Sequence, residues 1–322
     1  MIKLQQYLRI GLIALSLANL LVAQNREVLA EFKIGIVGHD LEDPTYQAAH
    51  SGAEDAARAL SEQYSIDVEI VVLTPKQAEG EDQLTALGQL LTEEADGFLI
   101  SPKHVDDVSS SISFAVEQGQ EVVLFEQSIE ELPVLASMIT DETGVGKLAA
   151  KAILPKLPTR GRVAILISEN PSTAELERLA GVREILGYKR IETVVRSQAN
   201  YAAANAAISE TEEADRSHLI KGWILLNDWA LRGPPSLPWE PGKLPCVAVQ
   251  TSPSVILYLK QEYIDAFVVH PHYEWGKTGV ELIVNKLYRE AAPESTIITT
   301  PAKIIDWRNV DSYQQNWKHW LK

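Results

Sequence analysis

A single cysteine, Cys246, stands in the 322 residues, so the chain cannot close a disulfide within itself, and no cysteine lies near the N-terminus to carry a lipid. Basic residues are the second scarcity. The 29 Lys and Arg face 44 Asp and Glu, a formal charge of −15. Affinity for nucleic acid comes from clustered Lys and Arg on phosphates, so this balance excludes nucleic acid as a partner and opposes anionic membrane surfaces. Catalytic signatures are missing too. No Gly-x-Ser-x-Gly elbow occurs. Thr143-Gly-Val-Gly-Lys147-Leu resembles a phosphate loop only in part, lacking the first glycine and the Ser or Thr after the lysine. His270-Pro-His272 suggests zinc, but the proline and the spacing argue against two imidazoles converging on one ion, and no other ligand cluster accompanies them. No cofactor, no metal and no catalytic nucleophile is expected. No tandem repeat is visible.

Long apolar runs are absent except for one, from Ile10 to Ala23. It spans about 14 residues, short of the ~20 that a membrane-crossing helix needs. Lys3 and Arg9 precede it, and small residues follow at Ala23 and at Ala30, the latter with Val28 at −3. Positive, then apolar, then small is the pattern of a cleaved secretory signal over 1–30. Cleavage is expected at Ala30, with Ala23 as the alternative and an uncleaved anchor as the competing reading. Export removes most transcription factors, kinases and cofactor-dependent metabolic enzymes from consideration. Loss of 1–30 takes three of the 29 basic residues (Lys3, Arg9, Arg26) and one of the 44 acidic ones (Glu27), moving the charge from −15 to −17. The expected mature protein is soluble, untethered and periplasmic.

Strand-like apolar runs alternate with helical patterns through the rest. Strands are predicted at 32–38, 68–73, 97–101 and 121–125, with helices at 45–63, 82–94 and 105–118. Ala48, Ala49, Ala53, Ala56, Ala57 and Leu60 recur at helical spacing in the first helix, and Gly119 caps the third. The rhythm then restarts, with helices predicted at 145–153, 173–186, 201–211, 254–261 and 272–288. Strands are predicted at 162–167, 190–195, 223–226, 247–250 and 266–269, and 296–305 is extended. Such alternation means βαβ units and parallel sheets with helices on both faces. Two consecutive, doubly wound, Rossmann-like α/β sheets account for the length. Gly233 to Pro245 holds five prolines and two glycines and must be irregular.

Ligands of open α/β sheets bind beyond the carboxyl ends of the strands. The segments found there are rich in amides, hydroxyls, carboxylates and aromatic rings. That mixture suits a neutral polyhydroxylated ligand, since rings cover C–H faces and planar polar groups bind hydroxyls.

Six segments in order carry a family resemblance: Asp43-Pro-Thr-Tyr46 with Gly52-Ala-Glu-Asp-Ala-Ala, Ala95-Asp-Gly-Phe-Leu-Ile-Ser-Pro102, Thr140-Asp-Glu-Thr-Gly-Val-Gly-Lys, Ala174-Glu-Leu-Glu-Arg178-Leu-Ala-Gly181-Val, Leu226-Asn227-Asp228, and His270-Pro-His-Tyr-Glu-Trp-Gly276. Over 33–305 the chain resembles the sugar-binding type I periplasmic binding proteins, nearest the ribose-binding type. The resemblance implies two lobes joined by a three-strand hinge: 31–139 plus 271–301, and 140–270 plus 302–322. Pro155 to Gly161, a boundary on composition alone, then becomes an internal loop. It also implies ligand contacts at His39, Asp43, Tyr46, Glu126, Gln127, Arg178, Tyr201, Asn227, Gln250 and His270. The ribose pattern has Asp-Arg where Glu126-Gln127 stands, Asp at Gln250 and Gln at His270, so a carboxylate and a guanidinium are lost or lengthened here. The helix after the Asn-Asp pair is cut short by the proline-rich loop.

Each candidate has a plainer reading. Arg178 could be a surface charge paired with Glu175 or Glu177, although its planar fork suits two hydroxyl oxygens. Asn227-Asp228 could cap the next helix; Asn227 is assigned to the cleft, and Asp228 stands between contact and cap. Tyr46 and Tyr201 could be core rings or stacking platforms. Trp229 and Trp275 are read as packing, and Asp141 as ordering the crossover. The function expected is capture of a small sugar or polyol by a monomer, for delivery to a membrane ABC permease. The alternative is docking of the liganded form on a membrane sensor kinase or chemoreceptor. A hydrolase lacks its catalytic constellation here, and a sugar-responsive repressor would need a DNA-binding segment where the signal lies. Intact-mass analysis of the exported protein is expected to show a new N-terminus after Ala30 or Ala23; retention of Met1 overturns the signal reading.

Overall fold

The computed structural model describes residues 28–76, 79–250 and 252–321; the apolar run 10–23 and the Ala23 site lie outside the described residues. In chain order the first elements are β1 (Glu31–Val37), α1 (Pro44–Tyr64), β2 (Asp67–Val72), α2 (Gln83–Thr92), β3 (Gly97–Ile100), α3 (Val105–Glu117), β4 (Glu121–Phe125) and β5 (Ala136–Ile139). There follow α4 (Glu142–Ile153), β6 (Arg162–Ser168), α5 (Thr173–Leu186), β7 (Ile191–Ser197), α6 (Tyr201–Ala214), β8 (Ile220–Leu225), β9 (Cys246–Val249), α7 (Pro253–Lys260) and β10 (Ala266–Val269). The last are α8 (His272–Arg289), β11 (Ile297–Thr299), β12 (Lys303–Asp306) and α9 (Val310–Trp320).

Two six-stranded sheets result, β2-β1-β3-β4-β5-β11 and β7-β6-β8-β9-β10-β12. Both run in the doubly wound order whose switch point falls beside the first strand. Apolar clusters cover both faces of each sheet. That is why β3, β9 and β10 are buried throughout, as is β4 after Glu121, and read as continuous apolar runs. All pairings are parallel except β10 with β12, a departure from the purely parallel expectation.

Local chemistry sets most boundaries. Asp43 accepts from the Thr45 N–H and Pro44 opens α1, so the alanine face begins at once. Ser172 and Glu175 form a reciprocal capping box on α5. Asp141 accepts from the Gly144 N–H, starting α4 at Glu142 rather than at 145; this caps the crossover, as read for Asp141. Gly119 ends α3 with φ +88°. Three features differ from the sequence reading. The strand β5 was not foreseen. The extended stretch 296–305 is two strands in different sheets, parted at Pro301. A C-terminal helix, α9, packs its Trp317 and Val310 into the second lobe.

The chain passes between the sheets three times: after β5, after β10 and between β11 and β12. The helices entered by the first two passages lie against their lobes through glycine. A Cβ on Gly276 would sit 1.8 Å from the Ala49 carbonyl oxygen, and one on Gly52 2.0 Å from that of Tyr273. The second lobe repeats the device: a Cβ on Gly146 would be 1.9 Å from the Arg178 oxygen and one on Gly181 2.0 Å from that of Thr143. Backbone thus touches backbone between α1 and α8 and between α4 and α5. Gly276→Ala is expected to lower the unfolding free energy by at least the ~1–3 kcal/mol typical of overpacking, because the obstacle is main chain. Gly88→Ala, at an open helical position, should gain about 0.5–1 kcal/mol instead. Equal responses of the two variants in urea would refute this account.

Candidate ligand-binding site

The carboxyl ends of both sheets face one another at the crossings, and each ends one strand in a strained residue. Glu126 follows β4 with φ +71°, and Gln250 follows β9, the equivalent strand, with φ +70°. A non-glycine residue held there costs about 1–3 kcal/mol and persists only where surroundings enforce it. In the first lobe the surroundings are visible. Glu126 accepts from the Tyr46 hydroxyl at 2.9 Å, from His272 Nε2 at 2.8 Å and from the Ser101 hydroxyl. Because Ser101 spends its only proton on Glu126, His39 Nε2, 2.9 Å from Ser101 Oγ, must be the donor in that pair. Burial alone would raise the Glu126 carboxyl. The hydrogen bond and charge of His272, the charge of His39 and the Ser101 hydroxyl instead hold it far below the ordinary carboxylate range. Burial and the neighbouring Glu126 push the Tyr46 phenol well above 10.

The second lobe pairs its charges in the same way. Arg178 is 5% exposed; its Nε donates to Glu142 at 2.6 Å and its Nη1 to the Leu226 carbonyl at 3.0 Å. Glu142 also accepts from His270 Nε2 at 2.9 Å. Burial opposes its charge, but His270 and Arg178 hold its carboxyl down at about 2. Burial also keeps His270 below its ordinary 6.5, outweighing the pull of Glu142. The crossing His270-Pro271-His272 therefore carries two imidazoles, one on a carboxylate of each lobe, with ring centroids 6.2 Å apart. Buried Glu175 accepts from Ser168 N–H and Oγ and from Asn227 Nδ2 at 2.9 Å.

Arg232 spans the lobes directly. It stacks 4.3 Å over the Trp229 ring, donates to Asp228 at 2.9 Å and reaches Asp43 at 3.7 Å. On the hinge side lies a cavity of 220 Å³, with Gln250, His270, His272 and Trp317 among its walls.

The residues picked out from the sequence fall into distinct groups. His39, Tyr46 and Glu126 share one network. Arg178 and His270 meet on Glu142, Asp43 and Asp228 on Arg232, and Gln250 and His270 on the cavity. Asn227 bonds to Glu175, and two more stand apart from these groups. The Gln127 amide donates to the Pro102 carbonyl. The Tyr201 ring lies against Gly233, and its hydroxyl donates to the Pro234 carbonyl at 3.0 Å. Arg178 is no surface charge, and its partner is Glu142 rather than Glu175 or Glu177. Asp228 makes no cap bond; it is fully buried on Arg232. Ser101, Glu142, Glu175, Arg232 and His272 were not singled out as contacts. Strand-end position pointed to Ser101. Glu142 and Arg178 are 36 residues apart, and His272 and Glu126 are 146 apart, pairings which no local pattern reveals.

Two doubly wound lobes, three crossings and a polar cleft between strand ends define a binding-protein architecture. The chain belongs to the periplasmic binding protein domain family, whose model matches residues 34–291. Among solved structures it is similar to a periplasmic ribose ABC transporter protein from Conexibacter woesei, with TM-score 0.74 at 19% identity, covering 91% of this chain and 98% of that one. A myo-inositol binding protein from Caulobacter, bound to myo-inositol, has TM-score 0.70 at 18% identity, covering 89% and 97%. An arabinose binding protein from Geobacillus stearothermophilus has TM-score 0.72 at 19% identity, covering 88% and 99%. Among curated proteins none matches the chain. Among the described residues no helix is long and apolar enough to cross a membrane.

Acid should loosen this site. His39 and His270 are lowered from 6.5 by burial, and His50, 2.8 Å from Thr74 Oγ1 behind the β1–α1 junction, is lowered to about 4 by the same cause. Each binds its proton less readily folded than unfolded, so on acidification the unfolded chain takes up protons first. Stability is then full above pH 6.5 and falls as pH drops, the His50 share being lost by about 4 and the Glu142 share between 4.5 and about 2. His50→Gln is expected to remove about 3 kcal/mol of the pH 6.5-to-4 loss. Urea titrations at several pH values check this; parallel curves for variant and wild type would exclude His50 as the titrating group.

Proposed function

We propose that the protein is an exported, monomeric solute-binding protein that captures a small sugar or sugar-like polyol between its lobes and delivers it to a membrane ABC permease. The observation that carries this reading is that the charged groups of the cleft are spent on one another. Glu126 is matched by His272, Glu142 by Arg178, and Arg232 by Asp43 and Asp228. A charged solute would have to break one of these pairs and leave its partner buried, which is strongly unfavourable. A neutral solute rich in hydroxyls can use the lone pairs and protons that remain. In this reading His39, Asp43, Tyr46, Asn227, Asp228, Gln250 and His270 are the contacts assigned to such hydroxyls, while Arg178 and Glu126 chiefly hold other groups in place. The similar ribose, arabinose and myo-inositol binding proteins support the same ligand class.

The mechanism is population shift. Contacts from both lobes exist together only when the lobes are closed, so a ligand touching both favours that state by its differential affinity. Arg232 provides a direct link across the cleft and needs no ligand to bridge it. A thermal-shift screen of pentoses, hexoses, deoxysugars and cyclitols is expected to find a member that raises Tm by several degrees, with calorimetry giving one site per chain. A screen in which none binds, while amino acids or other charged solutes do, would overturn the proposal.

A further inference from the structure

Helix α9 is anchored in one lobe and finishes on the other. Val310 and Trp317 are buried in the core of the second lobe, and Lys260 of α7 holds Asp311 at 2.6 Å and also donates to Gln314. The last turn lies on the first lobe. His319 Nε2 is 2.6 Å from Asp55 of α1, and Trp320 stacks on Tyr273 of α8 with ring centroids 5.3 Å apart and planes at 20°.

The first lobe is organised to receive that turn. Asp55 gathers three donors: His319, the Tyr273 hydroxyl at 2.9 Å and Arg58 of α1 at 2.7 Å. Burial opposes the Asp55 charge, yet the hydrogen bonds from His319 and Tyr273 hold its carboxyl below the ordinary range. Burial and the same Asp55 bond push the Tyr273 phenol up to about 12, so it stays a donor and its ring is held flat for Trp320. Rings carry the connection back into the second lobe. From Tyr273 the series runs through Trp320, Trp317 and Tyr313 to Phe267 of β10, with successive centroids 5.3, 5.1, 6.2 and 5.8 Å apart. Aromatic pairs at these separations attract one another beyond the area they bury. One packed series thus joins the sheet of the second lobe to a helix of the first without passing through the three crossings.

We propose that α9 is a strap that holds the two lobes in their closed arrangement before any solute binds, with the His319–Trp320 turn as its releasable end. The two ends differ in kind. Trp317 is core, whereas the His319 side chain is 49% exposed. Opening the hinge moves α1 and α8 away from the second lobe, so it must lift Trp320 off Tyr273 and part His319 from Asp55. The second-lobe anchor moves with its own lobe and loses nothing. Arg232, reaching Asp43 from a different segment, resists the same opening. The functional consequence is that a solute has less closure left to drive, since a larger share of binding-competent protein raises apparent affinity by that share. The strap acts on the hinge whatever solute the cleft accepts.

The lone cysteine makes the test practicable. Cys246 is fully buried and burial pushes its thiol up, so cysteines introduced at exposed positions take spin labels selectively. Asp106→Cys on α3 of the first lobe and Ala199→Cys just after β7 of the second provide the pair. Pulsed electron paramagnetic resonance then reads the interlobe distance in protein dialysed from urea with no solute added. It is applied to the labelled parent, to the parent with His319→Ala and Trp320→Ala together, to Asp55→Asn, and to Lys318→Ala, an exposed position on the same helix. The expected result is one short distance in the parent and in Lys318→Ala, with the share of a longer distance raised at least about threefold in the double variant and in Asp55→Asn. The parent distance persisting in the double variant overturns the proposal, even if its Tm falls, because α9 then only stabilises the second lobe. A long distance already dominant in the parent, or an equal shift in Lys318→Ala, overturns it as well. If the double variant loses its cooperative thermal transition, Asp55→Asn decides by the same threefold criterion. None of these outcomes bears on which solute binds.

Discussion

Main-chain contact between helices is the constraint on which the other features rest. Gly52 and Gly276 bring α1 onto α8, and Gly146 and Gly181 bring α4 onto α5. In each pair one helix follows a chain crossing and the other follows its lobe's first strand or its sheet-to-helix turn. Close approach fixes where the crossings emerge. It thereby sets His270 and His272 opposite the carboxylates of two different lobes. A larger residue at any of the four positions would push on carbonyl oxygens, which cannot rotate away as a side chain can.

The electrostatics of the site follow from that placement. Burying Glu126 and Glu142 is costly unless each charge is met by donors, and the crossing brings one imidazole to each. Arg178 completes the pairing in the second lobe, while Tyr46, Ser101 and His39 complete it in the first. The result is a region dense in charged residues that are largely hydrogen-bonded to one another. Strain recurs at equivalent places: Glu126 and Gln250 hold left-handed backbone at the ends of corresponding strands of the two sheets. Arg232 adds a link that reaches across from Asp228 to Asp43.

Legibility from sequence varied with the range of the physics. Helix α5 was read to the residue, because Ser172, Glu175 and Gly187 signal its ends locally. Strands β4 and β10 were read equally well as apolar runs between turns. Strand β5 escaped notice because its four residues include Ser137 and Met138 and lie in a long connection. Helix α9 escaped because its ring-rich face, Tyr313, Trp317 and Trp320, has meaning only against Tyr273 and β12. The loop after Arg232 was seen as irregular. That it would lay Gly233 against Tyr201 and aim Arg232 at Asp43 was not legible, since proline-rich segments show where regular structure stops and not where the chain goes next.

The sequence by itself determined the α/β class, the alternation of strand and helix, the strand ends where a ligand would be met, and an acidic balance unsuited to nucleic acid. These depend on period, caps and composition, which act over a few residues or are summed over the chain. Tertiary structure alone decided which candidates are spent on one another. Arg178 meets Glu142, His272 meets Glu126 and Arg232 meets Asp43 because packed helices bring residues far apart in sequence within 4 Å. A side chain's chemistry is written in its type, but whether that chemistry is free for a ligand depends on what folding has buried beside it.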